Sequence, residues 1–287
     1  MLEVFRVLAP NPGPFTLEGT NTWVVGREPA VVIDPGPDDP EHVKAVAKEA
    51  GRVAAILVTH GHPDHAPGAT LLEKLTGAPV MSFPPRVRQQ RAHEDELIEV
   101  DSVRLRAVRT PGHSADHVAF FVEWSGALFT GDAVLGRGTT VIAPPDGDLA
   151  AYMRSLRRMN DLAPRTIYPG HGPTVFDAPG KLAEYIDHRA MREQQVLDAI
   201  AEGRDTIDAM VETIYSEYPP ELHPAAGQQV RAQLEKLERE GRVSPNGPDR
   251  FALLTPSTCE RCGRPAPPRS RLCGKCSLDL LQEEPDR

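Results

Sequence analysis

The run Thr59-His60-Gly61-His62-Pro63-Asp64-His65 sets three imidazoles and a carboxylate within six consecutive positions. Burying such a run in an apolar core is costly, because each unpaired polar group loses its hydration. Imidazole nitrogen and carboxylate oxygen are the donors that zinc and similar divalent ions take. The chemistry on offer is therefore a metal cage. The bland alternative is a solvated His-rich loop. Three further segments carry a potential ligand past the end of a short apolar run. Val103 to Thr110 leads into Pro111-Gly112-His113, Ala127 to Thr130 into Gly131-Asp132, and Thr166 to Tyr168 into Pro169-Gly170-His171. Each of these ligands has a glycine beside it, which lets the backbone turn sharply and approach an ion. His60, His62, Asp64, His65, His113, Asp132 and His171 exceed what one tetrahedral ion accepts. They suit two ions that share a bridging carboxylate.

The elements that must position these residues are legible in outline. Ala54-Ala55-Ile56-Leu57-Val58 predicts a buried strand, so the first ligands sit on the loop at its carboxyl end. Ala30 to Asp34 predicts another strand, closed by Pro35-Gly36, and Glu41 to Glu49 an amphipathic helix. Ala119 to Val122 and Ala127 to Phe129 predict a hairpin over Trp124-Ser125-Gly126. Leu149 to Leu162 predicts a helix with Leu149, Met153, Leu156 and Met159 along one face. The pattern is α/β, two sheets face to face with helices outside. From Lys181 the texture becomes helical: Lys181 to Glu202, Thr206 to Tyr215 capped by Thr206, and Ala225 to Glu240. Arg242-Val243-Ser244 and Phe251 to Leu254 then flank Pro245-Asn246-Gly247-Pro248 as a hairpin. Helices followed by a hairpin outline a winged helix.

These motifs together resemble the metallo-β-lactamase-fold hydrolases. The resemblance implies an αβ/βα sandwich. It implies that His60, His62 and His113 hold one ion, that Asp64, His65 and His171 hold the second, and that Asp132 bridges them. Asp64 would also orient the attacking water. His117 is not a primary ligand in that pattern; it is either a proton donor or orienting residue, or a buried structural histidine. Two ions roughly 3.5–4 Å apart generate a bridging hydroxide near neutral pH, so the implied reaction is metal-assisted hydrolysis. Zinc suits the His-rich cage, and manganese or iron fits its carboxylates.

Asn11 to Leu17, Gly19-Thr20-Asn21-Thr22, Gly136 to Val141 and His188-Arg189 with Arg192 to Gln195 resemble one subgroup, the β-lactamase-like protein 2 type. That likeness runs from about Arg6 to about Val243. It implies an endoribonuclease acting on single-stranded RNA by a metal-bridged hydroxide, or a hydrolase of esters and acyl-carrier thioesters. Gly138-Thr139-Thr140 reads as a phosphate-holding loop or as a turn with locally satisfied threonines. Asn21 and Thr22 read as substrate residues or as turn formers.

The formal net charge of −9 argues against non-specific binding of nucleic acid and against a duplex-DNA partner. The helix that would read DNA in a winged helix mixes Arg231, Lys236 and Arg239 with Glu235, Glu238 and Glu240, which favours a solvated face. No apolar run is long enough to span a membrane, and the amino terminus lacks a secretory or transit pattern, so the expected compartment is the cytoplasm. Cys259, Cys262, Cys273 and Cys276 follow a Cys-x2-Cys-x10-Cys-x2-Cys pattern, the spacing of a closed structural zinc knuckle. A reducing compartment disfavours the disulfide alternative. The expected division is 1–180 for the catalytic domain, 181–255 for the winged-helix-like module and 256–287 for the four-cysteine tail. A non-catalytic regulatory or RNA-binding role would leave the complete ligand set without a purpose.

Overall fold

The computed structural model describes residues 2–82, 97–100, 103–254, 257–258 and 260–266. The chain divides into two compact units, residues 1–189 and 190–287. The first unit is built on two five-stranded sheets. One has the order β1 (Val4–Leu8), β2 (Asn21–Val25), β3 (Ala30–Ile33), β4 (Val53–Val58) and β5 (Val80–Ser82). The other has the order β10 (Thr166–Pro169), β9 (Ala127–Gly131), β8 (Val118–Val122), β7 (Val103–Arg109) and β6 (Leu97–Val100). Both are mixed: β3, β4 and β5 run parallel, as do β9 and β10, and the remaining pairs are antiparallel.

Alternating residues of the strands explain the layering, because successive side chains point to opposite faces. Trp23, Val31, Ile33, Ala55 and Leu57 of the first sheet join Leu105, Ala107, Val118, Phe120 and Phe129 of the second in one buried cluster. The other face of the first sheet, with Val24, Val32, Ile56 and Val58, packs on α1 (Pro40–Ala50) and α2 (Gly68–Thr76). Helix α1 begins at Asp39, whose carboxylate accepts from the Glu41 and His42 amides, with Pro40 in the first turn. Helix α3 (Leu149–Asp161) buries the expected stripe of Leu149, Met153, Leu156 and Met159, and Tyr152 besides.

Helix α4 (Ala178–Ala201) follows β10. In the second unit, α5 (Ile207–Ile214) starts at Thr206, whose hydroxyl accepts from the Ala209 amide at 3.3 Å. Helix α6 (His223–Arg239) and the hairpin β11 (Val243–Pro245) and β12 (Phe251–Leu253) complete a winged-helix outline around Val196, Met210, Val230, Leu234, Leu237 and Val243. The wing is longer than a two-residue Asn-Gly turn. Asn246 N–H donates to Arg250 O across a loop that takes Gly247 and Asp249 through positive φ. On α6, Lys236 pairs with Glu193 and Glu240, and Arg239 with Glu235. The solvated face expected from the mixed charge holds for Arg231, Glu238, Arg239 and Glu240, whereas the Lys236 and Glu193 side chains are only 13% and 17% exposed and form a packed ion pair.

Of the four tail cysteines, Cys259, Cys273 and Cys276 lie outside the described residues; Cys262 is exposed. No helix among the described residues is long and apolar enough to cross a membrane.

Candidate metal centre

The carboxyl ends of β4, β9 and β10 and the loop after β7 converge on one cluster of ligating groups. His60, His62, His113 and Asp132 bring one donor atom each within 4.8 Å of one another, and Asp64, His65 and His171 do the same. Asp132 divides its oxygens between the two groups. Its Oδ1 lies 3.3 Å from both His65 Nε2 and His171 Nε2, and its Oδ2 lies 3.7 Å from His113 Nε2. Asp64 Oδ2 stands 3.3 Å from His65 Nε2 and 3.2 Å from His171 Nε2.

Four of the five histidines of the cluster are hydrogen-bonded outward through one nitrogen. His65 Nδ1 is 2.9 Å from Asp34 Oδ2, His113 Nδ1 is 2.9 Å from Val141 O, and His171 Nδ1 is 3.2 Å from Gly19 O. His60 Nδ1 is 3.0 Å from Thr59 Oγ1, and His62 Nε2 faces Asp146 Oδ2 at 3.6 Å. A ring N–H given to an outer acceptor leaves the opposite nitrogen as a bare lone pair directed inward. His60 Nε2 is buried without a hydrogen-bond partner, which is costly unless something accepts its lone pair. Five imidazoles, four of them tethered and one with an orphaned buried nitrogen, together with two carboxylates fit one or two divalent cations.

Several outer residues escape notice in the sequence. Asp34 Oδ1 accepts from Thr59 N–H at 2.7 Å, and its Oδ2 accepts from Thr59 Oγ1 at 2.8 Å as well as meeting His65. Asp116 accepts from the Gly61 amide and the Ser114 hydroxyl, tying the His60 loop to the His113 loop. Trp23 Nε1 donates to Pro169 O at 3.0 Å, which fixes the loop that presents His171. A Cβ on Gly170 would fall 2.5 Å from Asp132 Oδ1, so a side chain there would displace the carboxylate. Asp34 directly follows β3 at φ 51, a left-handed conformation that aspartate tolerates; a strand end followed by Pro-Gly was the only signal of it in the sequence.

The residues singled out for substrate contact are placed differently from one another. Asn21 is buried and its Nδ2 donates to Pro169 O and Gly172 O, both at 2.9 Å. Thr22 is buried and bonds Asp34 O and His42. Neither lines the cavity beside the cluster; both brace the loops around it. Gly138, Thr139 and Thr140 do line it, but the Thr140 hydroxyl is buried and lies 3.2 Å from His113 Nδ1. His117 is buried, bonded to Thr110 Oγ1 through Nδ1 and accepting the Asp132 amide at Nε2. With both nitrogens engaged, it positions Asp132 and does not face the cavity.

The cavity is about 780 Å³ and is lined by Asp64, His62, His113, Asp132 and His171 at its base. Its walls are mainly apolar: Pro14, Phe15 and Leu17 from one loop, and Leu135, Val141 and Ala143 from another. Phe15 is 63% exposed.

In the metal-free protein, charges within the cluster set its protonation. Burial would depress His65, but the carboxylates of Asp132 and Asp34 override it and hold its pKa well above the ordinary value. His171 is raised to about 9: burial opposes this, and hydrogen bonds to Asp132 and Asp64 prevail. Burial would raise Asp132 and Asp64, yet the neighbouring imidazoles hold both well below the carboxylate range. Burial chiefly depresses His60 and His117. A histidine raised above its unfolded value of about 6.5 contributes stability that is complete below that pH and lost as pH rises through the folded value. The metal-free protein should therefore lose thermal stability as pH rises from about 6.5 through about 9, where His171 loses its proton, with raised His65 adding to the loss. Zinc displaces those protons, so the zinc-loaded protein should not show that loss. Calorimetric melting across the window checks this; a flat metal-free profile contradicts it.

Comparison with known proteins follows the same division. The sequence model described as the metallo-beta-lactamase superfamily matches residues 15–89 and 81–171, and that of the beta-lactamase associated winged helix domain matches residues 206–250. The chain is 35% identical over 283 residues to the Beta-lactamase-like protein 2 homolog of Drosophila melanogaster, covering 89% of this chain and 95% of that protein. It is 39% identical over 242 residues to the Atrochrysone carboxyl ACP thioesterase of Aspergillus chevalieri, covering 78% and 77%. A metallo-beta-lactamase family protein from Thermus thermophilus superposes with a TM-score of 0.72 at 23% identity, over 87% of this chain and 98% of that one; this likeness is one of fold.

Proposed function

This chain belongs to the metallo-beta-lactamase superfamily of metal-dependent hydrolases, and on that premise we propose that it hydrolyses acyl thioesters at a two-metal centre. His60, His62 and His113 would hold one ion, Asp64, His65 and His171 the other, and Asp132 would bridge them. The ions, when bound, supply an activated water and polarise the carbonyl oxygen. The apolar walls carry the substrate assignment, because Phe15, Leu17, Leu135 and Val141 offer an acyl group an apolar surface beside the cluster.

The chain's own groups divide the remaining work. Asp34, Thr59, Val141 O and Gly19 O fix the inward-facing nitrogens of four of the histidines. Thr20 Oγ1 donates to Asp64 Oδ2 at 3.3 Å, the oxygen that also faces His65 and His171. This leaves Asp64 Oδ1 to accept a hydrogen bond from the attacking water and orient it. Water adds to the carbonyl carbon, the C–S bond breaks, and the products are a carboxylic acid and a thiol. Among the described residues, the lining contributes no lysine, tyrosine or cysteine to protonate a leaving group, and His117 is committed elsewhere. A thiol, with a pKa near 8.5, leaves readily as the anion, whereas a ribose oxygen does not.

Cleavage of single-stranded RNA is the second reading. It is favoured by the likeness to the Beta-lactamase-like protein 2 homolog over most of the chain. A cavity with one arginine among its described lining residues and a threonine hydroxyl turned to His113 supports it less well. The test is to incubate zinc-loaded protein with butyryl-pantetheine and with a fluorescent single-stranded RNA. Thioester hydrolysis with intact RNA is expected. Metal-dependent RNA cleavage without thioester hydrolysis overturns the proposal in favour of the phosphodiester.

We assign catalysis to residues 1–180, the winged-helix module to 181–255 and a structural zinc knuckle to 256–287, the whole acting in a reducing cytoplasm. The Cys-x2-Cys pairs support the knuckle. Purified protein should bind one zinc more than its Cys259→Ser variant while both turn over a short thioester alike. Equal zinc content by elemental analysis would remove the knuckle.

A further inference from the structure

Among the described residues that line the cavity, Arg137 alone carries a permanent positive charge. Its side chain is 62% exposed, at the open end, and its Nη2 donates to Glu18 Oε1 at 2.7 Å. An exposed ion pair of this kind holds weakly. A guanidinium prefers a planar, bidentate oxyanion when one is presented.

The backbone that carries Arg137 is, by contrast, firmly tied. The Gly136 amide donates to His171 O at 2.9 Å. Tyr185 Oη accepts from the Leu135 amide and donates to Gly138 O, both at 2.9 Å, closing the two ends of the turn. A Cβ on Gly136 would fall 2.1 Å from Pro173 O, so the turn packs onto the His171 loop only with glycine there. The base of this cation is thus set at a fixed place relative to a residue of the metal cluster. The turn presents a cation to the cavity, held there only by an exposed ion pair.

We propose that Arg137 is a specificity residue that binds an oxyanion of the substrate, a phosphate or a carboxylate, at the mouth of the cavity and apart from the scissile carbonyl. This rests on the thioester reading above. The apolar walls take the acyl group while Arg137 selects substrates that carry negative charge on the thiol arm or at the far end of the acyl chain.

Two substrate pairs separate those sources. Butyryl-phosphopantetheine against butyryl-pantetheine tests the thiol arm, and glutaryl- against butyryl-pantetheine tests the acyl end. Wild-type zinc-loaded protein should favour the charged member of one pair by about tenfold in kcat/KM, chiefly through KM, as a charge-assisted hydrogen bond allows. Arg137→Gln should erase that preference and Arg137→Lys keep part of it. Calorimetric binding of phosphopantetheine and glutarate, which needs no turnover, should weaken by the same factor in Arg137→Gln. No preference in either pair, or a preference that survives in Arg137→Gln, overturns the proposal. Arg137-dependent binding of either anion by a protein that hydrolyses none of these thioesters would sink the thioester reading and leave the anion site standing.

Discussion

Asp132→Ala should lower thioester turnover by about a thousandfold or more, the scale expected when several kcal/mol of metal-supplied stabilisation are lost. It should also lower the zinc bound by the purified protein. The geometry singles out this residue. Its Oδ1 faces His65 and His171 while its Oδ2 faces His113, so it joins the two groups of donors. Its amide is already oriented by His117. The variant should remain folded, because strand β9 ends on Gly131 and the carboxylate supports no strand pairing. In the metal-free state it should also shrink the stability loss between about pH 6.5 and about pH 9, since Asp132 is a principal cause of the raised His65 and His171. Zinc content, kcat and the pH profile of melting measured on one preparation would check all three. Full turnover by the variant would remove the bridged centre from the mechanism.

The second large effect is expected from Asp34→Asn, away from the cavity. Asp34 serves three donors, the Thr59 amide, the Thr59 hydroxyl and His65 Nδ1, with a side chain only 2% exposed. Asparagine offers one carbonyl oxygen where the carboxylate offers two, so at least one buried donor must face an NH2 group in either orientation. Each such mismatch costs about 1–3 kcal/mol. Asparagine tolerates the left-handed backbone at this position, which removes strain as a confounding cause. Loss of the acceptor that orients a metal-binding histidine should weaken zinc binding on the order of 10–100-fold. Chelator competition gives the affinity and a melting curve gives the stability. Wild-type zinc affinity in this variant would mean that Asp34 is only a folding residue.

The chemistry of this chain is unusually exposed in its sequence because the cluster is built from residue types that rarely serve any other purpose together. His60 to His65 are adjacent, and His113, Asp132 and His171 each follow a short apolar strand and a glycine. The strands themselves were readable where both faces are buried, as in β4, or where turn residues bound them, as at Trp124 to Gly126. What stayed hidden are residues whose role exists only after folding. Asp34 looks like the end of a strand, and its duty to His65 spans 31 positions. Phe15 and Leu17 look like parts of a Pro-Gly turn, and only tertiary placement makes them cavity wall. Helix α2 follows Pro67 and has no side-chain cap, so the usual start signal is missing. Thr140 carries the hydroxyl of a phosphate loop, yet the fold turns it toward a histidine. Local sequence cannot say which neighbouring group a hydroxyl will meet.

Anomalous scattering at the zinc edge from crystals of the zinc-loaded protein tests the two-metal centre most directly. Two peaks are expected on either side of Asp132, one among His60, His62 and His113 and one among Asp64, His65 and His171. A single peak within this cluster, or peaks there that leave Asp132 outside both coordination spheres, would contradict it; a peak in the cysteine tail bears on neither.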